Sequence, residues 1–246
     1  MKKNDIINVT NEIKIKNIKK NNTNFIKNII IETENFIALN KPFGIAVHNG
    51  TKSEKNIIDL IKNKEYEYIE LCHRLDKNTS GCIILAKNKD FLSNFNKLIS
   101  EKKIIKEYHA IIKGNLEKQK IKIKTKNKLN LYNSKINDND KYSETVIKNI
   151  ENYKNASLIK IMPITGRLHQ IRIHLTHIGY PIANDEKYGN KTFNNEIKKY
   201  GSSRMILHAK AINFTCPITK KRFNIHAEYD YEFTKLIEKL KGITNA

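Results

Sequence analysis

Apolar residues along this chain recur at two spacings, and the switches between them predict both strands and helices. In "NIIIETENFIALNKP" two β-rich runs flank the turn-forming Glu32-Thr33-Glu34-Asn35, which predicts a pair of strands. "SEKNIIDLIKN" groups Ile57, Ile58, Leu60 and Ile61 behind Ser53, the pattern of a short helix capped by Ser53. "CIILAK" is apolar without a break and predicts a buried strand. The next stretch, "NKDFLSNFNKLISEKKI", returns to helical spacing through Phe91, Leu92, Phe95, Leu98 and Ile99, with Asp90 placed to cap it. "KEYHAIIKG" and "ASLIKIMPI" read as strands, the first stopping at Gly114. "LHQIRIHLTHIG" predicts an amphipathic helix that Gly179 closes and Pro181 follows. Strands in "MILHAKAINFTC" and "KKRFNIHAEY" precede a last helix over "YEFTKLIEKLKG".

Between residues 115 and 142 Lys and Asn are so dense that only "IKIKTK" stands out, as an edge strand blunted by its lysines. Residues 1–22 keep no period and predict a loose leader or a short extended arm, basic and polar, leaving 23–246 as one domain. Strands predominate without regular βαβ alternation, and no repeat or Gly/Ser linker cuts the chain. The expected class is therefore α+β.

A length of 246 residues suffices for a substantial core. Charge narrows the partners: 46 Lys and Arg stand against 25 Asp and Glu, a formal net charge of +21. Such a surplus points to a polyanion, nucleic acid above all. AT-rich coding drift would also produce this saturation with Lys, Ile and Asn, so charge alone names no surface. Cys72, Cys82 and Cys216 have no paired spacing, no secretory segment precedes them, and no apolar run approaches the ~18 residues of a membrane span. A reduced cytoplasm is the expected setting, with no membrane.

Two polar clusters could carry chemistry. In "HRLDKNTSG", residues 73–81, an extended loop would place Arg74 and Asp76 on one side and turn Leu75 inward. Asp76 has no second carboxylate nearby in sequence, which disfavours a glycosidase pair or a magnesium site. An arginine-flanked aspartate suits a nucleophile kept ionised by a neighbouring positive charge. It equally suits a structural carboxylate capping the Thr79 or Ser80 amides. In "PITGRLHQIRIH", helical spacing puts His169, Arg172 and Thr176 on one face and Arg167 with His174 on another. An arginine there could meet a carboxylate, or the face could simply be wet and basic. His169, His174 and His177 lack the spacing and companion ligands of a zinc site, and no phosphate-binding loop appears, so neither metal nor cofactor is expected. Tyr108 in "KEYHAIIKG" fits core packing or a stack on a base.

These pieces follow one another in a fixed order: "NKPFGIAVH", "HRLDKNTSG", "KEYHAIIKG", "PITGRLHQIRIH", "GYPIANDEKYG", "LHA…FTCP". That series, over residues 29 to 227, resembles the RluA-type family of RNA pseudouridine synthases, and most nearly its RluC-like branch, which acts on large-subunit ribosomal RNA. The resemblance implies one catalytic domain on a bent, mainly antiparallel mixed sheet flanked by helices. It implies Asp76 as nucleophile, Tyr108 packed on the target base, and Arg172 paired with the aspartate. Arg74 would fill the space left by a flipped uridine, Arg167 would help to order the turn or contact RNA, and His73 and Lys41 would lie at the RNA. No cofactor or metal follows from it, and the expected species is a monomer bound to 23S rRNA. Many members of the branch begin with a small S4 RNA-binding domain, for which residues 1–22 are too short, so that domain is expected to be absent. The alternatives are a synthase acting on tRNA, or a non-catalytic RNA-binding or ribosome-assembly factor with the same fold.

Overall fold

The unbroken apolar run reappears as strand β5 (Ser80–Ala86), buried at every position in this computed structural model. The structure describes residues 6–9, 27–47, 56–61, 66–126 and 142–244, and divides into two compact units. The first comprises residues 1–106 and 208–230, the second residues 107–207 and 231–246. The class is α+β. Most strand pairs are antiparallel, and among the described residues no helix is long and apolar enough to cross a membrane.

In the first unit β2 (Ile29–Glu32) and β3 (Phe36–Lys41) form the expected pair, and β3 lies antiparallel to β5. The other side of β5 is shared. Its start runs parallel to β10 (Leu207–Thr215), and its end meets the short β4 (Glu70–Leu71). Gly81 makes the first approach possible: its φ is +108°, and a Cβ there would sit 2.3 Å from the Ala209 carbonyl oxygen. Only glycine tolerates both conditions. Beyond β10 come β11 (Arg222–His226) and, parallel to it, β1 (Ile6–Val9), so part of the expected arm is strand; residues 1–5 and 10–22 lie outside the described residues.

Helix α1 (Ile57–Ile61) is capped by Asn56, whose Oδ1 accepts from the amides of Ile58 and Asp59; Ser53 lies outside the described residues. Helix α2 (Lys89–Ser100) likewise takes a different cap. Asn88 accepts from Phe91 N at 2.8 Å, and the expected Asp90 sits in the first turn, where its charge still favours the helix dipole. Its apolar stripe delivers Phe91 and Phe95 to a core with Phe36, Phe214 and Phe223, whose rings stack, tilt or meet edge to face at 5.0–5.6 Å. The three cysteines are buried in the same core as free thiols, and burial raises the pKa of Cys72 and Cys82 far above the ordinary range.

The second unit carries an antiparallel meander in the spatial order β6 (Ile105–Lys113), β9 (Ala156–Pro163), β8 (Tyr142–Asn152), β7 (Lys120–Lys126). β7 contains the "IKIKTK" run and ends this order. Helix α3 (Gln170–His177) lies against β8 and β9. It ends as expected at Gly179, φ +84°, with Gly179 N donating to Thr176 O and Tyr180 N to Leu175 O. α4 (Lys191–Lys199) and α5 (Tyr231–Thr244) complete the unit.

Candidate functional site

Residues 72–79 connect β4 to β5, and their main chain is held at several points. Cys72 N donates to Ile84 O, and Thr79 N donates to the Asp76 carbonyl at 3.0 Å. The Thr79 amide is thus taken by the Asp76 main-chain carbonyl. Ser80 Oγ meets His208 Nδ1 at 2.9 Å. Leu75 is buried, Asp76 half-buried and Arg74 exposed, the alternation an extended loop gives.

Two residues expected at the RNA are engaged inside the fold instead. Lys41 has no exposed surface, and its ammonium donates to the carbonyls of Pro42, Ile45 and Lys77. It ties the β3 end to the residue after Asp76, aided by Gly44 N donating to Lys77 O. The His73 ring accepts from Ile84 N through Nε2 and stacks over Phe95. Burial holds that imidazole well below its ordinary pKa, the Lys106 ammonium adding to the shift and the Arg74 main chain opposing it. A buried, fully donated ammonium and a neutral, inward ring are poor phosphate contacts. Both residues position the loop.

In the second unit Tyr108 is half-buried on β6, on the same strand face as the buried Ala110 and Ile112. The "TGRLHQIR" segment starts its helix later than its periodicity predicts, because His169 adopts φ +53° and Arg167 stays in the exposed turn before it. Gln170 fixes that turn. Its Oε1 accepts from Thr165 Oγ1 and Arg167 N, and its Nε2 donates to Glu144 O and Thr145 Oγ1. All four contacts lie between 2.7 and 3.0 Å, so the amide is fully satisfied.

Arg172 has a partner that sequence reasoning missed. Its Nε and Nη2 donate to the two carboxylate oxygens of Asp185, each at 2.7 Å, and its guanidinium lies 5.0 Å from the Tyr188 ring centroid. Asp185 Oδ1 also accepts from the amides of Lys187 and Tyr188. The Tyr188 hydroxyl meets His169 Nδ1, and Thr176 Oγ1 donates to Tyr188 O. The face that spacing assigned to His169, Arg172 and Thr176 is therefore the face that residues 185–188 clamp. "GYPIANDEKYG" held the signal, a carboxylate and a tyrosine in one short turn.

His174 belongs to a separate polar network. Its Nδ1 meets Thr145 Oγ1, and its Nε2 meets Ser143 Oγ and Thr125 Oγ1, at 2.8–3.0 Å. Burial pushes this imidazole from 6.5 down to about 4, and His177 adds to the shift. The unfolded chain takes up this proton near pH 6.5 and the folded chain only near 4. Stability from this group is therefore complete above pH 6.5 and declines as pH falls toward 4. Urea midpoints across that range should show the decline, and His174→Gln should shrink it while leaving the part due to His73. An equally steep decline in the variant would contradict the assignment.

Among the described residues no group of His, Cys, Asp and Glu is arranged to hold a metal ion.

Comparison with known proteins gives a consistent result. A family model described as RNA pseudouridylate synthase matches residues 35–177. Ribosomal large subunit pseudouridine synthase C of Pasteurella multocida is 36% identical over 222 residues, which cover 87% of this chain and 68% of that protein. Its namesake from Buchnera aphidicola subsp. Baizongia pistaciae is 38% identical over 222 residues, covering 86% and 70%. Among solved structures, human RNA pseudouridylate synthase domain containing 4 shares the fold with a TM-score of 0.73 at 23% identity, covering 89% of this chain and 95% of that one.

Proposed function

The chain belongs to the RNA pseudouridylate synthase family, and from that premise we propose that it isomerises specific uridines of 23S ribosomal RNA. The observation that carries the reading is Asp76: half-buried, flanked by an exposed arginine, on a loop whose turn the main chain closes. A half-buried carboxylate set at a fixed point of such a loop can act as a nucleophile. In the proposed reaction the N1–C1′ bond of the target uridine breaks and a C5–C1′ bond forms. C5 loses its proton and N1 gains one. The exchange is redox-neutral and needs no external water, so no metal or cofactor enters it. One chain carries every proposed residue, and the proposed species is a cytoplasmic monomer.

Tyr108 packs on the target base and assists loss of the C5 proton. Arg172, oriented by Asp185, pairs with Asp76 in this reading. Arg74 occupies the gap left by the flipped uridine, and Arg167 contacts the RNA backbone. The test is tritium release by the purified protein from transcripts labelled at uridine C5. Release is expected from 23S rRNA domains and not from tRNA. Release from tRNA alone would move the substrate, and RNA binding without any release would identify a non-catalytic factor.

A further inference from the structure

The sheet of the second unit has two unlike faces. The side that carries Tyr108 continues across the strands through Ile161, Ile147 and Ile121. On the opposite side, Lys120, Lys148 and Lys160 stand in register on β7, β8 and β9, and His109 of β6 extends the row. Lys122 and Lys124 continue it along β7, with Lys120, Lys122, Lys124 and Lys148 all exposed. Among the described residues two carboxylates pair with these five lysines. Glu107 bridges Lys160 and His109 at 2.9 Å each, and Glu144 pairs with Lys122 at 2.8 Å. Hydrogen bonding from His109, and then from Lys160, holds Glu107 down at about 2, so it stays ionised and committed to them. Among the described residues no carboxylate pairs with Lys120 or Lys148.

Edge protection accounts for lysines on β7, the last strand of this order. It does not account for Lys148 and Lys160, whose strands are paired on both sides. Adjacent strands lie about 4.8 Å apart, so like charges in register across them oppose folding. A polyanion laid across the row would offset that repulsion. The face also offers a platform for a base: Tyr142 is 50% exposed, and Lys124 stands 5.3 Å from its ring centroid. Charge with an exposed aromatic fits a nucleic acid strand better than an acidic peptide.

We propose that this basic face is a second RNA-contacting surface, on the side of the sheet away from Tyr108, which binds RNA flanking the target uridine. The inference rests on an RNA substrate, as proposed above, but not on the chemistry at Asp76.

The test compares Lys120→Gln/Lys124→Gln/Lys148→Gln with a control triple, Lys89→Gln/Lys97→Gln/Lys239→Gln, drawn from exposed lysines of α2 and α5. Each binds a long 23S rRNA domain transcript and a short hairpin around one uridine, over a range of salt. On the long RNA, losing three phosphate contacts should flatten the log–log salt slope by about 2. If counterion release is their whole contribution, affinity falls by about a hundredfold at 0.1 M salt and recovers toward 1 M. The control triple should keep the wild-type slope, and the hairpin should lose far less affinity than the long RNA. An equal loss in the control triple would make these lysines ordinary surface charge and overturn the proposal. So would an unchanged slope, equal losses on both RNAs, or displacement by polyglutamate as effective as by RNA. Tritium release from the hairpin by the unaltered protein reports separately on the catalytic reading, so the two can fail independently.

Discussion

Asp76→Asn should lower uridine isomerisation at least a hundredfold while the protein still folds and binds RNA. Asparagine keeps the size and planarity of the side chain and removes the charged oxygen that would attack. The loop keeps several anchors that do not involve this carboxylate. Thr79 N bonds the residue-76 carbonyl, Leu75 is buried, and Lys41 and Gly44 hold the Lys77 carbonyl. Removing a nucleophile costs several orders of magnitude in rate, whereas removing a polar contact costs far less. Tritium release from 5-tritiated transcripts measures the rate, and filter binding at matched salt measures the RNA affinity. A variant that keeps more than about a hundredth of the wild-type rate would end the covalent role. A variant that loses RNA affinity in proportion to rate would make Asp76 a binding group.

Patterns of burial were legible in the sequence wherever inward positions are apolar, and failed where the fold buries polar groups. β5 and the α2 stripe were plain because Cys82–Ala86, Phe91 and Phe95 face only the core. β8 went unseen because two of its inward residues are Ser143 and Thr145, which bond His174 and leave Ile147 without an alternating apolar series. α4 was hidden likewise, since its buried face mixes Phe193 and Ile197 with Asn194. Cap residues slipped locally: Asn88 and Asp90 are both competent caps, and the end of β5 at Ala86 favours the earlier one. At the site, the one-face spacing of His169, Arg172 and Thr176 was visible, but their partners in residues 185–188 come from a separate turn. Periodicity cannot reveal such a clamp. Lys41 shows the converse limit: a lysine in a basic chain reads as a phosphate contact until three carbonyls are found around it.

Arg172→Met should be damaging twice over, and a second substitution separates the two effects. The side chain of Asp185 is 1% exposed and accepts two 2.7 Å bonds from Arg172. Losing the guanidinium leaves a buried carboxylate supported only by the amides of Lys187 and Tyr188, which should cost about 3–5 kcal/mol of stability. Activity should fall as well, by a hundredfold or more, because the proposed mechanism then lacks the buried guanidinium it assigns to the nucleophile. Adding Asp185→Asn removes the stranded charge and keeps an oxygen for the same two amides. The double variant should regain most of the lost stability in urea titrations. Its isomerisation rate should stay as low as that of Arg172→Met alone, because the guanidinium is still missing. If activity returns together with stability, Arg172 serves only to hold residues 185–188 in place, and its pairing with Asp76 must be abandoned. If stability returns and activity does not, catalysis requires the Arg172 charge beyond its pair with Asp185, as the proposed mechanism expects.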